Sequence, residues 1–398
     1  MHRIFRLTVL GLIALLLASC AGVPPPPTTA PTLPAPPPTA PAPPLAVPAP
    51  PPTAPAPPAV APAPPLAAPP LALPAPPPAL PVPPPAAPAP PPQIVNVIVF
   101  PGGFNWPIWV AQEKGLFAKN GLEVKITPTP SSAFQLTNLI DGKFDIVMTA
   151  IDNLIAYREG QGEVPRLGPD LFAFMGGDNG FLRLVTVPEV RNYRELHGKA
   201  LSVDALTTGY AFVLFEILAR NRMQKDRDYT VVTAGGALQR FQALMEKKHA
   251  GTLLLSPFEV QAEAKGFNRL ANAIDVLGRY QGMVGGARKS WAEQNRDAVV
   301  GYIRAYSDAV DWLYDPTNRD EALAIFMKNL PGASAQGALT AYGILLGSTE
   351  GFQRKARIDM EGVKTVLALR SKYGQPRKSL SDPSPYYDPS FYDAAMRR

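Results

Sequence analysis

The residues best placed to do chemistry sit where an apolar run ends and a helical pattern begins. Thr207-Thr208-Gly209 follow the strand-like run Ala200–Val203 and Asp204, and precede a strongly apolar helical stretch from Tyr210 to Ala219. The first N–H groups of such a helix have no partner within it and carry a partial positive charge. With a threonine hydroxyl and a glycine that admits close approach, they would hold the polar end of a solute. The plainer alternative is that Thr207 or Thr208 only caps the helix. Other chemistry has little to work with. Cys20 is the one cysteine, which excludes an intramolecular disulfide, a thiolate metal cluster and a CxxC redox pair. His2, His197 and His249 are the only histidines, too few for the common metallohydrolase and serine-hydrolase constellations. No metal and no cofactor is expected. Arg183, Arg240 and Arg288 could pair with an anion, although solvated arginine is the default.

These residues are carried by alternating strand and helix patterns. Ile94–Phe100 is an apolar run broken only by Asn96, and Pro107–Gly115 reads as a helix with proline at its start. Leu122, Val124 and Ile126 alternate with polar residues, as in a strand with one solvated face. Ser131 or Ser132 caps a helix carrying Phe134, Leu136, Leu139 and Ile140. Further strands are predicted at 144–148, 171–175, 181–187, 199–203, 229–233, 252–256 and 282–287. From Lys289 onward the patterns are helical only. Alternation of this kind predicts an α/β fold with parallel sheets and helices on both faces.

The N-terminal quarter is of another kind. Arg3 and Arg6 precede an apolar run, Leu7–Leu17, too short for a comfortable span and suited to a secretion signal. It ends in Leu17-Ala18-Ser19-Cys20, which resembles the lipobox of bacterial lipoproteins. That resemblance implies a signal peptide over 1–19, cleavage before Cys20, and acylation of its sulfur (palmitate or a related chain). Ala21 after the cysteine favours the outer membrane if the envelope is Gram-negative. A plain signal peptide with an incidental cysteine is the alternative. Residues 23–92 contain 36 of the 50 prolines and no glycine, aromatic or charged residue. With Cys20 they form a Pro/Ala-rich linker over 20–92, disordered or in polyproline II, unable to build a core. All 32 acidic and 36 of the 38 basic residues lie beyond it, so the body carries 36 − 32 = +4. That mild excess, without long basic runs, excludes nucleic acid as a partner.

The stretch Asn105-Trp106-Pro107-Ile108-Trp109-Val110-Ala111-Gln112-Glu113-Lys114-Gly115-Leu116-Phe117 is similar to the opening of one family of bacterial ABC-importer binding proteins. These are the substrate-binding proteins for nitrate, sulfonates, taurine and the thiamine-pyrimidine precursor. Phe144-Asp145-Ile146-Val147, Leu196-His197-Gly198-Lys199-Ala200-Leu201-Ser202-Val203-Asp204, and Trp312-Leu313-Tyr314-Asp315-Pro316 match its later motifs. Val147 stands where glycine is common and His197 where lysine is. The resemblance covers residues 94 to about 372. It implies the two-lobed periplasmic binding protein fold of type II, with parallel-rich sheets and two crossing strands. Lobe one is expected over 94–180 and 288–398, lobe two over 188–280, and the hinge strands over 181–187 and 281–287.

A cleft between such lobes would be faced by the carboxyl ends of strands, where solutes bind in open α/β sheets. The residues expected there are Phe104, Asn105, Trp106, Asp152, Asn153, Thr207, Thr208, Gly209, Tyr210, Ser256 and Phe258. Four of them have a plainer reading besides the threonines: Trp106 a core aromatic, Asn105 and Asp152 helix caps, Phe258 packing between lobes. Gly285-Gly286 lets a ligand or backbone approach closely or, the favoured reading, forms a strand bulge. The implied function is a lipid-anchored substrate-binding component of an ABC importer, not an enzyme. It would be monomeric, at the periplasm or cell surface. Its partners would be a small organic or oxyanionic solute (sulfonate-, nitrate- or pyrimidine-like), an ABC permease, and a membrane reached through the lipid. The alternatives are a ligand-sensing or envelope protein without a permease, or a pyrimidine-synthase-like enzyme. The latter's iron site needs histidines and cysteines that the body lacks.

Overall fold

Runs rich in Val, Ile, Leu and Phe become strands, and the segments between them coil into helices. The computed structural model describes residues 91–330 and 332–397. The signal segment, Cys20 and all but the end of the Pro/Ala stretch lie outside the described residues. Ten strands are found among the described residues. They are β1 (Gln93–Val99), β2 (Leu122–Pro128), β3 (Ile146–Ala150), β4 (Leu171–Gly176), β5 (Arg183–Thr186), β6 (Lys199–Val203), β7 (Tyr229–Thr233), β8 (Gly251–Leu254), β9 (Asn268–Asn272) and β10 (Met283–Arg288). The helices before β6 are α1 (Trp106–Glu113), α2 (Leu116–Lys119), α3 (Ser132–Ile140) and α4 (Ile151–Arg158). Between β6 and β10 come α5 (Gly209–Arg220), α6 (Ala237–Met245), α7 (Phe258–Glu263) and α8 (Ala273–Leu277). After β10 the chain is helical: α9 (Lys289–Gln294), α10 (Arg296–Tyr314), α11 (Arg319–Asn329), α12 (Ala335–Leu345), α13 (Met360–Tyr373) and α14 (Pro389–Met396).

The strands form two five-stranded sheets, ordered β2-β1-β3-β10-β4 and β7-β6-β8-β5-β9. In the first, β1 runs parallel to β2 and β3, while β10 is antiparallel to both β3 and β4. In the second, β6 runs parallel to β7 and β8, while β5 is antiparallel to β8 and β9. Each sheet thus has four strands in one direction and a single reversed one. That reversed strand is the one whose chain has just crossed from the other sheet. Two passages of the chain join the sheets, near the stretches 181–187 and 281–287 expected for the hinge strands. Residues 183–186 and 283–288 are built into the sheets, and the connecting chain is Gly177–Leu182 and Gly278–Gly282. A free-standing crossing strand would leave its backbone donors and acceptors unpaired, and insertion pairs them. The register of β10 against β4 shifts between Gly285 and Gly286, the bulge that the glycine pair predicts.

β9 is the strand that the sequence conceals. Asn268-Arg269-Leu270-Ala271-Asn272 has neither an apolar run nor clean alternation, and it lies at an edge, paired only with β5. At the other extreme, β3, β4 and β8 are buried along their whole length.

Polar groups stitch the two connections together. Asp178 is fully buried; its Oδ1 accepts the N–H of Gly180 (2.8 Å) and of Met283 (3.2 Å). The Gln281 side chain donates to the carbonyls of Asp178 (3.2 Å) and Met283 (2.9 Å) and accepts from Gln353 (2.7 Å). Burial pushes the Asp178 carboxyl up to about 6, against the pull of the two N–H groups. Because the folded value is raised, its stabilising contribution is complete below the ordinary carboxylate range and is lost as pH rises through about 6. This group should therefore cost wild type thermal stability as pH rises from 3 to 7. Asp178→Asn keeps an oxygen for both N–H groups and should remove on the order of 3 kcal/mol of that decline. Melting temperatures recorded across this range check it, and parallel curves for the two proteins would contradict it.

Candidate functional site

The carboxyl ends of β1 and β3 from the first sheet meet those of β6 and β8 from the second. Between them lies a cavity with about 540 Å³ of non-atom space, its mouth included. Phe100, Phe104, Met148, Leu255 and Met283 supply apolar walls, and Tyr210 adds an aromatic ring with a hydroxyl. Thr149, Asn153, Asp204, Thr208 and Arg240 supply the polar border.

Local sequence accounts for these positions. Thr208 stands just before α5; its Oγ1 accepts the Ala211 N–H (3.4 Å) and donates to the Ala205 carbonyl (2.9 Å). This is the capping role, and it commits the hydroxyl within the chain. Asn153 donates to Thr149 Oγ1 (2.9 Å), one turn earlier. Arg240 is 3% exposed, with Nη1 on the Gly235 carbonyl (2.8 Å) and Nη2 on the Leu253 carbonyl (3.2 Å). Burial lowers its pKa, and neighbouring Asp204 and Tyr210 oppose that change. Burial likewise raises the Tyr210 hydroxyl well above its ordinary value, with Asp178 and Asp152 adding to the effect.

Of the residues expected to face the cleft, Phe104, Asn153, Thr208, Gly209 and Tyr210 border this cavity. The other six do not, each for a visible reason. Trp106 is fully buried; its Nε1 donates to the Ala322 carbonyl (3.1 Å), and its ring lies 4.6 Å from Phe326 and 5.8 Å from Tyr342, centroid to centroid. It is a core aromatic. Asn105 Nδ2 donates back to the Phe100 carbonyl (2.7 Å) and fixes the turn after β1. Asp152 receives Arg370 on both oxygens in a buried pair, with Nε at 2.7 Å. Thr207 Oγ1 donates to Glu163 (2.9 Å), and its carbonyl accepts from Arg370 Nη2 (2.7 Å). Ser256 Oγ donates to Glu259, and Phe258 stacks on Phe241 at 5.2 Å. Burial pushes Glu259 up to about 7, opposed by Arg183 and Ser256. Trp106→Ala should thus cost about 3 to 5 kcal/mol of stability. Solute affinity should stay within a factor of two, and calorimetry on the folded variant checks that.

Phe100, Met148, Thr149, Ala150, Ala237, Leu255 and Met283 were not expected at the cavity, and Asp204 and Arg240, named above only at a strand end and as a possible anion partner, also border it. The signal for Asp204 was its place at the end of β6; for Arg240 it was a lone arginine on the amphipathic helix α6.

The rim of the cavity is closed by bonds from one sheet's loops to the other's. Gly103 N–H donates to the Ser256 carbonyl (3.0 Å), and Gly236 N–H to the Pro130 carbonyl (2.8 Å). Ser132 N–H, at the start of α3, donates to Asp204 Oδ2 (3.0 Å). On the far side, α13 reaches α5: Lys372 Nζ (2.7 Å) and Tyr373 OH (2.8 Å) both meet Glu216. Against a burial penalty, Lys372, Tyr373 and Arg220 hold the Glu216 carboxyl down at about 2. These contacts join α13 to α5. Among the described residues no group of three or more His, Cys, Asp or Glu could hold a metal ion. No helix among them is long and apolar enough to cross a membrane.

A family model described as "NMT1/THI5 like" matches residues 105–319. The chain is 26% identical over 230 residues to the bicarbonate transport ATP-binding protein CmpC of Synechococcus elongatus, a match over 54% of this chain. It spans only 34% of that relative's length. Similar solved structures include the periplasmic nitrate-binding protein of Synechocystis PCC 6803, with TM-score 0.66 and 12% identity, covering 77% of this chain and 89% of that one. The alkanesulfonate-binding protein of Xanthomonas axonopodis pv. citri, bound to MOPS, gives TM-score 0.61 and 15% identity over 75% and 99%. The ligand-binding component of an ABC-type import system from Staphylococcus aureus gives 0.63 and 14% over 77% and 100%. At these identities the likeness shows the fold: a two-lobed binding protein of type II.

Proposed function

The chain belongs to the NMT1/THI5-like family, and from that premise we propose that it is the solute-binding component of an ABC importer. It captures one small organic or oxyanionic solute between its lobes and presents it to a permease. The observation that carries this reading is the cavity between opposed strand ends, closed at its rim by hydrogen bonds from one lobe to the other. A site of this shape sequesters a molecule from water, and its rim bonds break and re-form as the lobes part. Its polar groups hold one another rather than forming a nucleophile and base: Thr208 caps its helix, Asn153 binds Thr149, and Arg240 braces two carbonyls. Binding without chemistry fits that arrangement better than catalysis.

The same reading places the protein outside the cytoplasm as a monomer, tethered through a lipid on Cys20 by the Pro/Ala segment. Cys20→Ser should release the protein from the membrane fraction or leave its precursor uncut; unchanged partitioning and mobility would contradict the anchor. The binding role is tested by native mass spectrometry of protein purified without denaturation. One small molecule should accompany wild type and be absent from Ala237→Trp, whose indole fills the cavity. Retention of the molecule by the filled variant would place binding elsewhere.

A further inference from the structure

Asp204 has one satisfied oxygen and one unsatisfied. Oδ2 accepts the Ser132 N–H across the lobes at 3.0 Å, whereas Oδ1 is buried and has no partner among the described residues. A buried carboxylate oxygen without a donor is a costly arrangement, and it identifies what is missing: an N–H or O–H from something that enters the cavity. Arg240 borders the same cavity. A guanidinium has five N–H groups, and the two committed to Gly235 and Leu253 leave it able to meet an acceptor as well. One carboxylate and one guanidinium leave the lining electrically balanced.

A free oxyanion fits this poorly. It would bring an unbalanced negative charge beside Asp204 in surroundings that screen it weakly. Two of the helix starts that would welcome it, those of α3 and α5, are already served. Asp204 itself sits at the start of α3, and Thr208 caps α5. Behind α5 lies a second carboxylate: a Cβ on Gly209 would stand 2.4 Å from Asp152 Cγ. The anion site expected at Thr207-Thr208-Gly209 therefore already has a resident anion. The remaining walls are apolar, with the rings of Phe100, Phe104 and Tyr210 offering faces to a flat molecule.

We infer that the cavity takes an uncharged, planar heteroaromatic solute whose amino or N–H group donates to Asp204 Oδ1, with an acceptor on the same molecule turned to Arg240. This rests on the solute-receptor reading above and narrows it to one class.

The test is calorimetry and thermal shift on the full chain with cytosine, 2-aminopyridine and nicotinamide as ring probes, and nitrate and ethanesulfonate as oxyanion probes. At least one ring probe should bind saturably, and neither oxyanion should at millimolar concentration. Asp204→Asn keeps an amide oxygen for Ser132, so its melting temperature without solute should stay close to wild type. Its affinity for the ring probe should fall at least tenfold. Saturable oxyanion binding with no ring binding would overturn the ligand class and leave the receptor reading intact. Ring binding unchanged in Asp204→Asn would overturn the role of Asp204. Binding by neither class would overturn the inference, and an empty cavity in natively purified protein would overturn the receptor reading with it.

Discussion

Arg370→Met should destabilise the folded body by about 3 to 5 kcal/mol, the cost of leaving a buried carboxylate without its partner. Arg370 and Asp152 are both almost wholly buried, and the guanidinium also donates to the Gln161 side chain (3.2 Å) and the Thr207 carbonyl (2.7 Å). Methionine replaces the stem but none of the donors, so Asp152 is stranded. Adding Asp152→Asn removes the stranded charge, and the double variant should recover more than half of the loss. Guanidinium-chloride unfolding of the three proteins measures this. A single-variant loss near 1 kcal/mol, unaffected by the second substitution, would mean that the pair is solvated in solution.

Gly209→Ala should leave each lobe folded and stop the lobes from closing. A Cβ at this position would lie 2.4 Å from Asp152 Cγ and 2.5 Å from its Cβ. Asp152 cannot yield, because Arg370 holds both of its oxygens. At the first position of a helix, alanine is otherwise favourable by up to about 1 kcal/mol over glycine. Overpacking of this kind costs about 1 to 3 kcal/mol, so solute affinity should fall about ten- to a hundredfold. Small-angle scattering should report a larger radius of gyration with solute present than wild type shows. Unchanged affinity and an unchanged radius would show that the lobes meet differently.

Much of the scaffold was legible because its elements announce themselves locally. Val95–Val99, Ile146–Ala150 and Leu171–Gly176 are apolar runs bounded by turns. Ser131, Thr208, Ser334 and Asp359 stand at helix starts with side chains that accept from the expected N–H groups. Long-range pairing is what local pattern does not carry. Arg370 lies 218 residues from Asp152, so nothing near Asp152 distinguishes a buried ion pair from a helix cap or a ligand contact. Trp106 was misplaced for a related reason. The turn Gly102-Gly103 reads as solvent-facing, yet Gly103 is packed against Phe326 and the Ser256 carbonyl, where a Cβ would come within 2.8 and 2.9 Å. The chain there dives into the core, and Trp106 goes with it. The cavity lies at the strand ends, and half of its fourteen lining residues are Met, Leu, Phe and Ala, types that look like core from sequence.

The most direct test of the account is a crystal structure of protein purified under native conditions, without a refolding step. The account predicts density for one small molecule between the two sheets, within hydrogen-bond distance of Asp204 Oδ1 and against the ring of Tyr210. Closed lobes around an empty cavity, or a solute bound on another face, would contradict it.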